Sequence, residues 1–310
     1  MNKIPNQNSI LWKYQNPVIV YYHMVSEKIN PYYSNKSINP DDFRKQVKEL
    51  KNIFNTIALP EAIEKAKSNH PLNNSLVITI DDGFTECYST IAPILSEEKI
   101  PATFFLIENC IDNQSMMWMH LLEYLQQTLS SEKRNAIIQK FLNQNTTQSD
   151  LLKLSKEWNS EEKDKFTKQL WDLSENEPLS EWLQNHQPYL TTNQIKELVN
   201  AGFTIGSHSS THPSCDQLSY DELQKEIEGS CLSISNKIGI DVQYFSYPFG
   251  RRANRKYEDK IIRNSNVQCL IAGKPKLFRR KSFPFWEAYN LERKKSNLLY
   301  YLLVNSFSIK

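Results

Sequence analysis

The sequence predicts an α/β fold built around a parallel sheet, and three observations carry that prediction. Short apolar runs rich in β-branched and aromatic residues occur at 18–25, 76–80 and 101–107. Between them the apolar residues take a helical spacing, first Phe43, Val47, Leu50 and Phe54, then Tyr88, Ile91, Ala92 and Leu95. Continuous apolar runs of this length mark buried strands and the 3.6-residue period marks helices, so their alternation is a βαβα rhythm. The third observation is length: 310 residues is long for one domain but ordinary for an α/β barrel. One catalytic domain over residues 1–310 is the expectation.

The elements follow in order. The first strand carries Tyr21, Tyr22 and His23. Asn39 then reads as an N-cap and Pro40 as a first-turn residue of the first helix. The run 76–80 follows the turn-like Asn73-Asn74-Ser75 and delivers Asp81-Asp82-Gly83 to the carboxyl end of a strand, where α/β folds place their chemistry. From about 110 to 188 the sequence becomes polar, helical and tryptophan-bearing, with Trp118, Trp158, Trp171 and Trp182. This stretch reads as a helical insertion that either packs on the barrel or covers the cleft. His120 and His186 within it, and His70 before it, read as surface residues. Thr192, Gln194, Ile195, Leu198 and Val199 then predict a helix closed by Gly202, and 203–205 a strand that places His208 just past its end. Ser219 to Glu222 has the spacing of a capping box, the stripe Leu223, Ile227, Cys231, Ile234 and Ile238 continues that helix, and Gly239 stops it. A strand at 242–245 leads into a Pro248-Phe249-Gly250 turn. The apolar 298–304 reads as a final core helix, with peripheral membrane attachment as the weaker alternative.

Two adjacent carboxylates at a strand end would repel, and a divalent cation on one is the simplest reason to keep both ionised. Alone, Asp81-Asp82-Gly83 is also an ordinary turn. His208 and His212 change the reading: on a helical turn their spacing puts two imidazoles on one side, although Pro213 favours an irregular loop or a single turn. Two histidines and one aspartate make a sensible set for a catalytic zinc-like ion with an open water position.

These residues resemble the polysaccharide deacetylases of the NodB-homology type, carbohydrate esterase family 4. Thr79-Ile80-Asp81-Asp82-Gly83 is similar to the family's Thr-Phe-Asp-Asp-Gly element, which implies Asp81 as catalytic base and Asp82 as metal ligand. His208 and His212 match its His-Ser/Thr-x-x-His element and would complete the metal triad. Ser246-Tyr247-Pro248-Phe249-Gly250 is similar to its Arg-x-Pro-Tyr-Gly element, in which the amide at Phe249 would help form an oxyanion hole. The resemblance implies a distorted (β/α) barrel with fewer than eight strands and one divalent ion, zinc first, with cobalt, nickel or manganese as alternatives.

The chain departs from the family pattern twice. The motif arginine is Ser246 here, which leaves Arg280 as the candidate replacement for orienting the base. No histidine follows His212, so the family's C-terminal Leu-x-His acid is missing. Tyr22-His23-Met24-Val25 resembles the Tyr-His-x-Val opening of the branch that includes poly-N-acetylglucosamine deacetylases, which implies His23 as general acid. The expected activity is removal of acetyl from an N-acetylated amino sugar of a cell-surface glycan or its lipid-linked precursor, as in polysaccharide or lipopolysaccharide assembly. The alternatives are a deformylase or other small-acyl amidohydrolase, and a carbohydrate-binding pseudoenzyme.

The 37 basic residues nearly balance 35 acidic ones, so no overall field favours nucleic acid. The local basic runs at 279–281 and 293–295 read as solvated surface, or as contacts to phosphate on a lipid-linked sugar or to anionic lipid. No run reaches the roughly 20 apolar residues that span a membrane. The opening residues lack the apolar core of a secretory signal and the five cysteines are odd in number and scattered, which together predict reduced thiols and a cytoplasmic location, with attachment to the inner membrane as the alternative.

Overall fold

The computed structural model describes residues 16–33, 37–273 and 283–292. Arg280, both basic runs and the apolar 298–304 lie outside the described residues. The strands are β1 (Val18–Tyr22), β2 (Asn55–Thr56), β3 (Ser75–Ile80), β4 (Ala102–Leu106), β5 (Thr204–Ser207), β6 (Tyr244–Tyr247), β7 (Cys269–Gly273) and β8 (Phe285–Asn290), and every pairing among them is parallel. The pairing β1–β3, with Val18 opposite Leu76 and Tyr22 opposite Ile80, closes a ring of seven strands. The two-residue β2 attaches at the start of β3. The barrel therefore has fewer than eight strands, as the resemblance implies.

Alternate strand residues divide the core in two. Val20, Ile78, Phe104, Leu270 and Phe285 face the outer helices, where α1 (Pro40–Ile53) contributes Phe43, Val47 and Leu50. Ile19, Val77, Phe105, Ile271 and Trp286 form a second cluster, joined by Leu59, Ala62 and Ile63 of α2 (Leu59–Lys67). All six residues of β3 are buried, which is why it reads as one continuous apolar run rather than an alternating one. The Asn39 side chain caps α1 by accepting from the Asp41 amide, and Pro40 occupies its first turn. The stripe at 88–95 begins as a π-turn over Cys87–Ile91 and continues as α3 (Ala92–Glu97).

The insertion after β4 carries five α-helices, α4 (Trp118–Thr128), α5 (Ser131–Leu142), α6 (Leu151–Leu154), α7 (Ser160–Leu173) and α8 (Leu179–His186). They form their own core around Trp171, Trp182, Leu122 and Leu125, and this core also takes in Met24, Tyr33, Phe84 and Ile107 from the carboxyl ends of β1, β3 and β4. The insertion therefore covers the end of the barrel where the chemistry sits. Asn113 and Tyr189 exchange side-chain and backbone hydrogen bonds of 3.1 and 2.9 Å across its base. After it come α9 (Thr192–Asn200), capped by Thr191 and Gln194, then α10 (Tyr220–Gln224) with its Ser219–Glu222 capping box, and a π-turn leading into α11 (Ser230–Ile238). Gly239 stops that helix with φ of 79°, and α12 (Arg255–Asn264) precedes β7.

Candidate active site

The Asp81 amide donates to the Tyr22 carbonyl (2.8 Å), continuing the β1–β3 ladder by one residue. Asp82 then takes φ of 73° and Gly83 φ of 71°, so the reversal starts at the aspartate itself and not only at the glycine. Aspartate tolerates this region better than most residues. The turn brings both carboxylates, buried, into one cleft.

His208 leaves β5 and its ring is fixed from behind: Nδ1–H donates to the Ser246 carbonyl at 2.8 Å, which leaves the Nε2 lone pair facing Asp82. His212 arrives by an irregular loop, one of the two forms expected ahead of Pro213, with φ of 73° at Ser209 and 60° at His212. Ser209 Oγ accepts from the His212 amide, and the Glu226 carboxylate accepts from the Ser210 and Thr211 amides and the Thr211 hydroxyl at 2.8–3.0 Å. Glu226 is thus the anchor of the loop.

The Nε2 atoms of His208 and His212 each lie 3.5 Å from Asp82 Oδ1, and the three donor atoms fall within 4.8 Å of one another. Donors 2.0–2.1 Å from a tetrahedral zinc would stand roughly 3.3 Å apart, so the spacing suits such an ion. Among the described residues Asp82 Oδ1 is buried without a hydrogen-bond partner, an arrangement that is costly unless a cation meets it. Burial opposes ionisation of Asp82, but contacts from His120 and His212 and the charge of His23 hold its carboxyl well below the usual range. Burial, helped by His212, pulls His208 down to about 3, so its imidazole is neutral and able to ligate.

Asp81 is different. Burial raises it to about 7, with the Asp82 charge adding to the rise while His23 and the Ser246 hydroxyl oppose it. Ser246, standing where the motif has arginine, donates to Asp81 Oδ2 at 3.3 Å, and among the described residues Asp81 Oδ1 has no partner.

His23 sits just past β1, and its Nδ1 is 2.9 Å from Glu292 Oε2. The other Glu292 oxygen accepts from the backbone amides of His23 and Met24. Burial works against a His23 cation, yet the Glu292 carboxylate, with Asp82 and Asp81 behind it, raises the imidazole to about 10. Burial likewise resists ionisation of Glu292, but His23 and the two amides lower it. Phe249 has φ of 57° in the Pro248–Gly250 turn and its ring lies 4.6 Å from that of His212. Gly250 packs so closely on β7 that a Cβ there would be 2.8 Å from the Gly273 carbonyl oxygen.

The structure thus brings His23, Asp81, Asp82, His208, His212 and Phe249 to one cavity of about 170 Å³. A larger groove of about 640 Å³ lies at the opposite end of the barrel, before β6 and β7, and lacks a convergent acid–base set. Among the three histidines expected at the surface, His70 and His186 are exposed, but His120 is 2% exposed and its Nε2 lies 3.6 Å from Asp82 Oδ2. A lone histidine between Met116-Met117-Trp118-Met119 and Leu121-Leu122 carried a signal of burial that the helical periodicity of the insertion obscured. Glu292 was missed because β8, with Glu287 and Asn290 inside it, does not read as a buried strand. Ser246 and Glu226 act through contacts that link distant segments.

The family model described as polysaccharide deacetylase matches residues 68–268, more than half of the chain. The chain belongs to the polysaccharide deacetylase family. Its match begins ahead of β3 and ends just before β7, so it includes both aspartates and both histidines of the cleft. No curated protein matches the chain in sequence. Among solved structures, IcaB from Ammonifex degensii is similar with a TM-score of 0.59 at 17% identity, covering 94% of this chain and 97% of that one. The Streptococcus pyogenes deacetylase PplD, solved with acetate, gives 0.57 at 16%, covering 88% and 91%. A de-N-acetylase from Aggregatibacter actinomycetemcomitans gives 0.56 at 16%, covering 88% and 93%. At these identities the likeness establishes the shared NodB-type fold.

Proposed function

We propose that this polysaccharide deacetylase is a divalent-metal-dependent N-deacetylase acting on an N-acetylated amino sugar, in a cell-surface glycan or its lipid-linked precursor. The observation that carries the reading is the convergence on one cleft of a three-donor cluster, an adjacent carboxylate and a histidine paired with glutamate. A cation held by Asp82, His208 and His212, zinc by preference, would supply Lewis acidity toward the acyl carbonyl and make water nucleophilic near neutral pH. Asp81, with one oxygen on the Ser246 hydroxyl and the other without a partner among the described residues, would take the proton of that water. The Phe249 amide would donate to the developing oxyanion, a contribution of about 3 kcal/mol for one well-placed donor. His23, kept protonated by Glu292, would deliver a proton to the departing amine. The Tyr-His-x-Val opening thereby takes over from the absent C-terminal histidine.

The two departures that favoured a binding-only protein each have a local substitute, Ser246 on Asp81 and Glu292 on His23, and both support turnover. Five free, buried cysteines suit a reducing compartment, where a nucleotide- or lipid-linked precursor would be met. Among the described residues no helix is long and apolar enough to cross a membrane. Metal-loaded protein incubated with a panel of N-acetylated and N-formylated amino sugars, free and lipid-linked, tests the reading: acetate release is expected, formate release alone would make it a deformylase, and binding with no release of either acid would make it a pseudoenzyme.

A further inference from the structure

We propose that His120, carried by the insertion, is a positioning residue for the metal carboxylate: its Nε2–H faces Asp82 Oδ2 and holds that oxygen back while Oδ1 is presented to the ion. The proposal rests on the metal-site reading above. Asp82 divides its two oxygens between two sides of the cleft, Oδ1 toward His208 and His212 at 3.5 Å each, Oδ2 toward His120 at 3.6 Å. What His120 presents there depends on which nitrogen carries its proton, and the carboxylate decides this. An ionised carboxylate oxygen can only accept, so the favourable tautomer carries its hydrogen on Nε2, facing Asp82 Oδ2, and leaves Nδ1 to accept from the Tyr189 hydroxyl 2.7 Å away, whose oxygen also takes the Met117 amide at 3.3 Å. His120 then turns an N–H toward the carboxylate and not a fourth lone pair toward the ion.

The ring has little freedom to leave this position. It packs 4.7 Å from Phe84, the residue that follows the Asp81-Asp82-Gly83 turn, and is stacked with Tyr189 at 5.9 Å. Phe84 and Tyr189 are themselves stacked at 5.7 Å. Tyr189 is also the residue pinned to Asn113 across the base of the insertion. One side chain thus connects docking of the insertion to the orientation of Asp82, and metal affinity should depend on a helix outside the barrel.

Zinc affinity measured by competition with a chromogenic chelator tests this on the full chain, with circular dichroism and the metal-free Tm as checks on folding. His120→Ala should weaken zinc binding about ten- to a hundredfold, the usual range for a partner that orients a ligand. His120→Gln, which keeps an N–H donor but is a poor zinc ligand, should come back to within roughly threefold of the wild type. Tyr189→Phe, which keeps the stack and loses the hydroxyl that donates to Nδ1, should also weaken binding by several-fold. A folded His120→Ala protein with wild-type zinc affinity would overturn the proposal. So would a His120→Gln protein as weak as His120→Ala, since the histidine would then be a direct ligand, or an unchanged Tyr189→Phe protein. Should His120→Ala fail to fold, the glutamine and phenylalanine variants decide the matter. If the wild-type protein itself took up no divalent ion, the metal-site reading would fall and this one with it, an outcome separate from tight wild-type binding with unaltered variants.

Discussion

At the scale of single residues, the proposed mechanism needs the cleft to hold a base without its proton and an acid with its proton at the same pH. Burial pushes Asp81 up to about 7, and Glu292 carries His23 up to about 10. Activity should therefore rise as pH climbs through the Asp81 value, which a cation on Asp82 draws below 7, and fall as pH climbs toward 10 and His23 loses its proton. Glu292→Gln removes the charge beside His23, so the alkaline limb of kcat/KM should move to lower pH by about one to three units, the range for losing an opposite charge at this distance. An alkaline limb that stayed in place would show that another group sets it. Asp81→Asn should retain zinc and lose about a hundredfold to ten-thousandfold in kcat. His23→Ala should also keep the metal but spare an activated ester more than the natural amide, because only the amide needs its leaving group protonated; equal losses on both would remove His23 from the acid role. The aspartates and histidines were legible in the sequence because they stand at the carboxyl ends of apolar runs. Glu292 and Ser246 were not, because their work depends on which segments the closed barrel makes neighbours.

At the scale of elements, two loops carry the chemistry and each is held by a contact distant in sequence. Glu226 gathers three donors of the histidine loop from a π-turn between α10 and α11. Glu226→Ala should release His212 and weaken zinc binding roughly tenfold or more while leaving Asp81 and His23 untouched; unchanged affinity in a titration of the folded variant would show that the loop holds itself. The turn at Pro248–Gly250 lies against β7, and Gly250→Ala meets both a positive φ of 65° and a contact of 2.8 Å to backbone. Loss of more than about 1 kcal/mol of stability is expected, as for alanine forced into the left-handed region, with a visibly lower Tm. Outside the insertion, most strand and helix identities up to β6 could be read from periodicity and capping residues, since Asn39, Thr191 and Ser219 mark helix starts by a local mechanism. The helix α2 escaped notice because its buried face is only Leu59, Ala62 and Ile63. Pro213 pointed to an irregular loop or a single turn between His208 and His212, and the loop is what forms; the two left-handed residues that shape it are a backbone choice that side-chain type does not announce.

At the scale of the whole molecule, a seven-strand barrel presents the donors and a helical insertion roofs them, with Met117, Met119 and His120 forming part of the cavity wall. Sequence alone left open whether the insertion merely packs on the barrel, because tryptophans serve a helical core and a sugar cleft equally well. Its docking on Phe84 and Tyr33 comes from contacts spanning much of the chain. A bound ion should tie barrel and roof together, so zinc at a hundredfold excess over Kd is expected to add about 2.7 kcal/mol to stability and raise Tm accordingly. The central claim is that this assembly is a metal-dependent deacetylase, and acetate release from an N-acetylated amino-sugar panel by the same protein sample, first stripped with chelator and then reloaded with zinc or cobalt, tests it most directly. No acetate is expected from the stripped sample and restored release on reloading; full activity in the stripped protein, or none in the reloaded one on any substrate, would contradict a metal-dependent deacetylase.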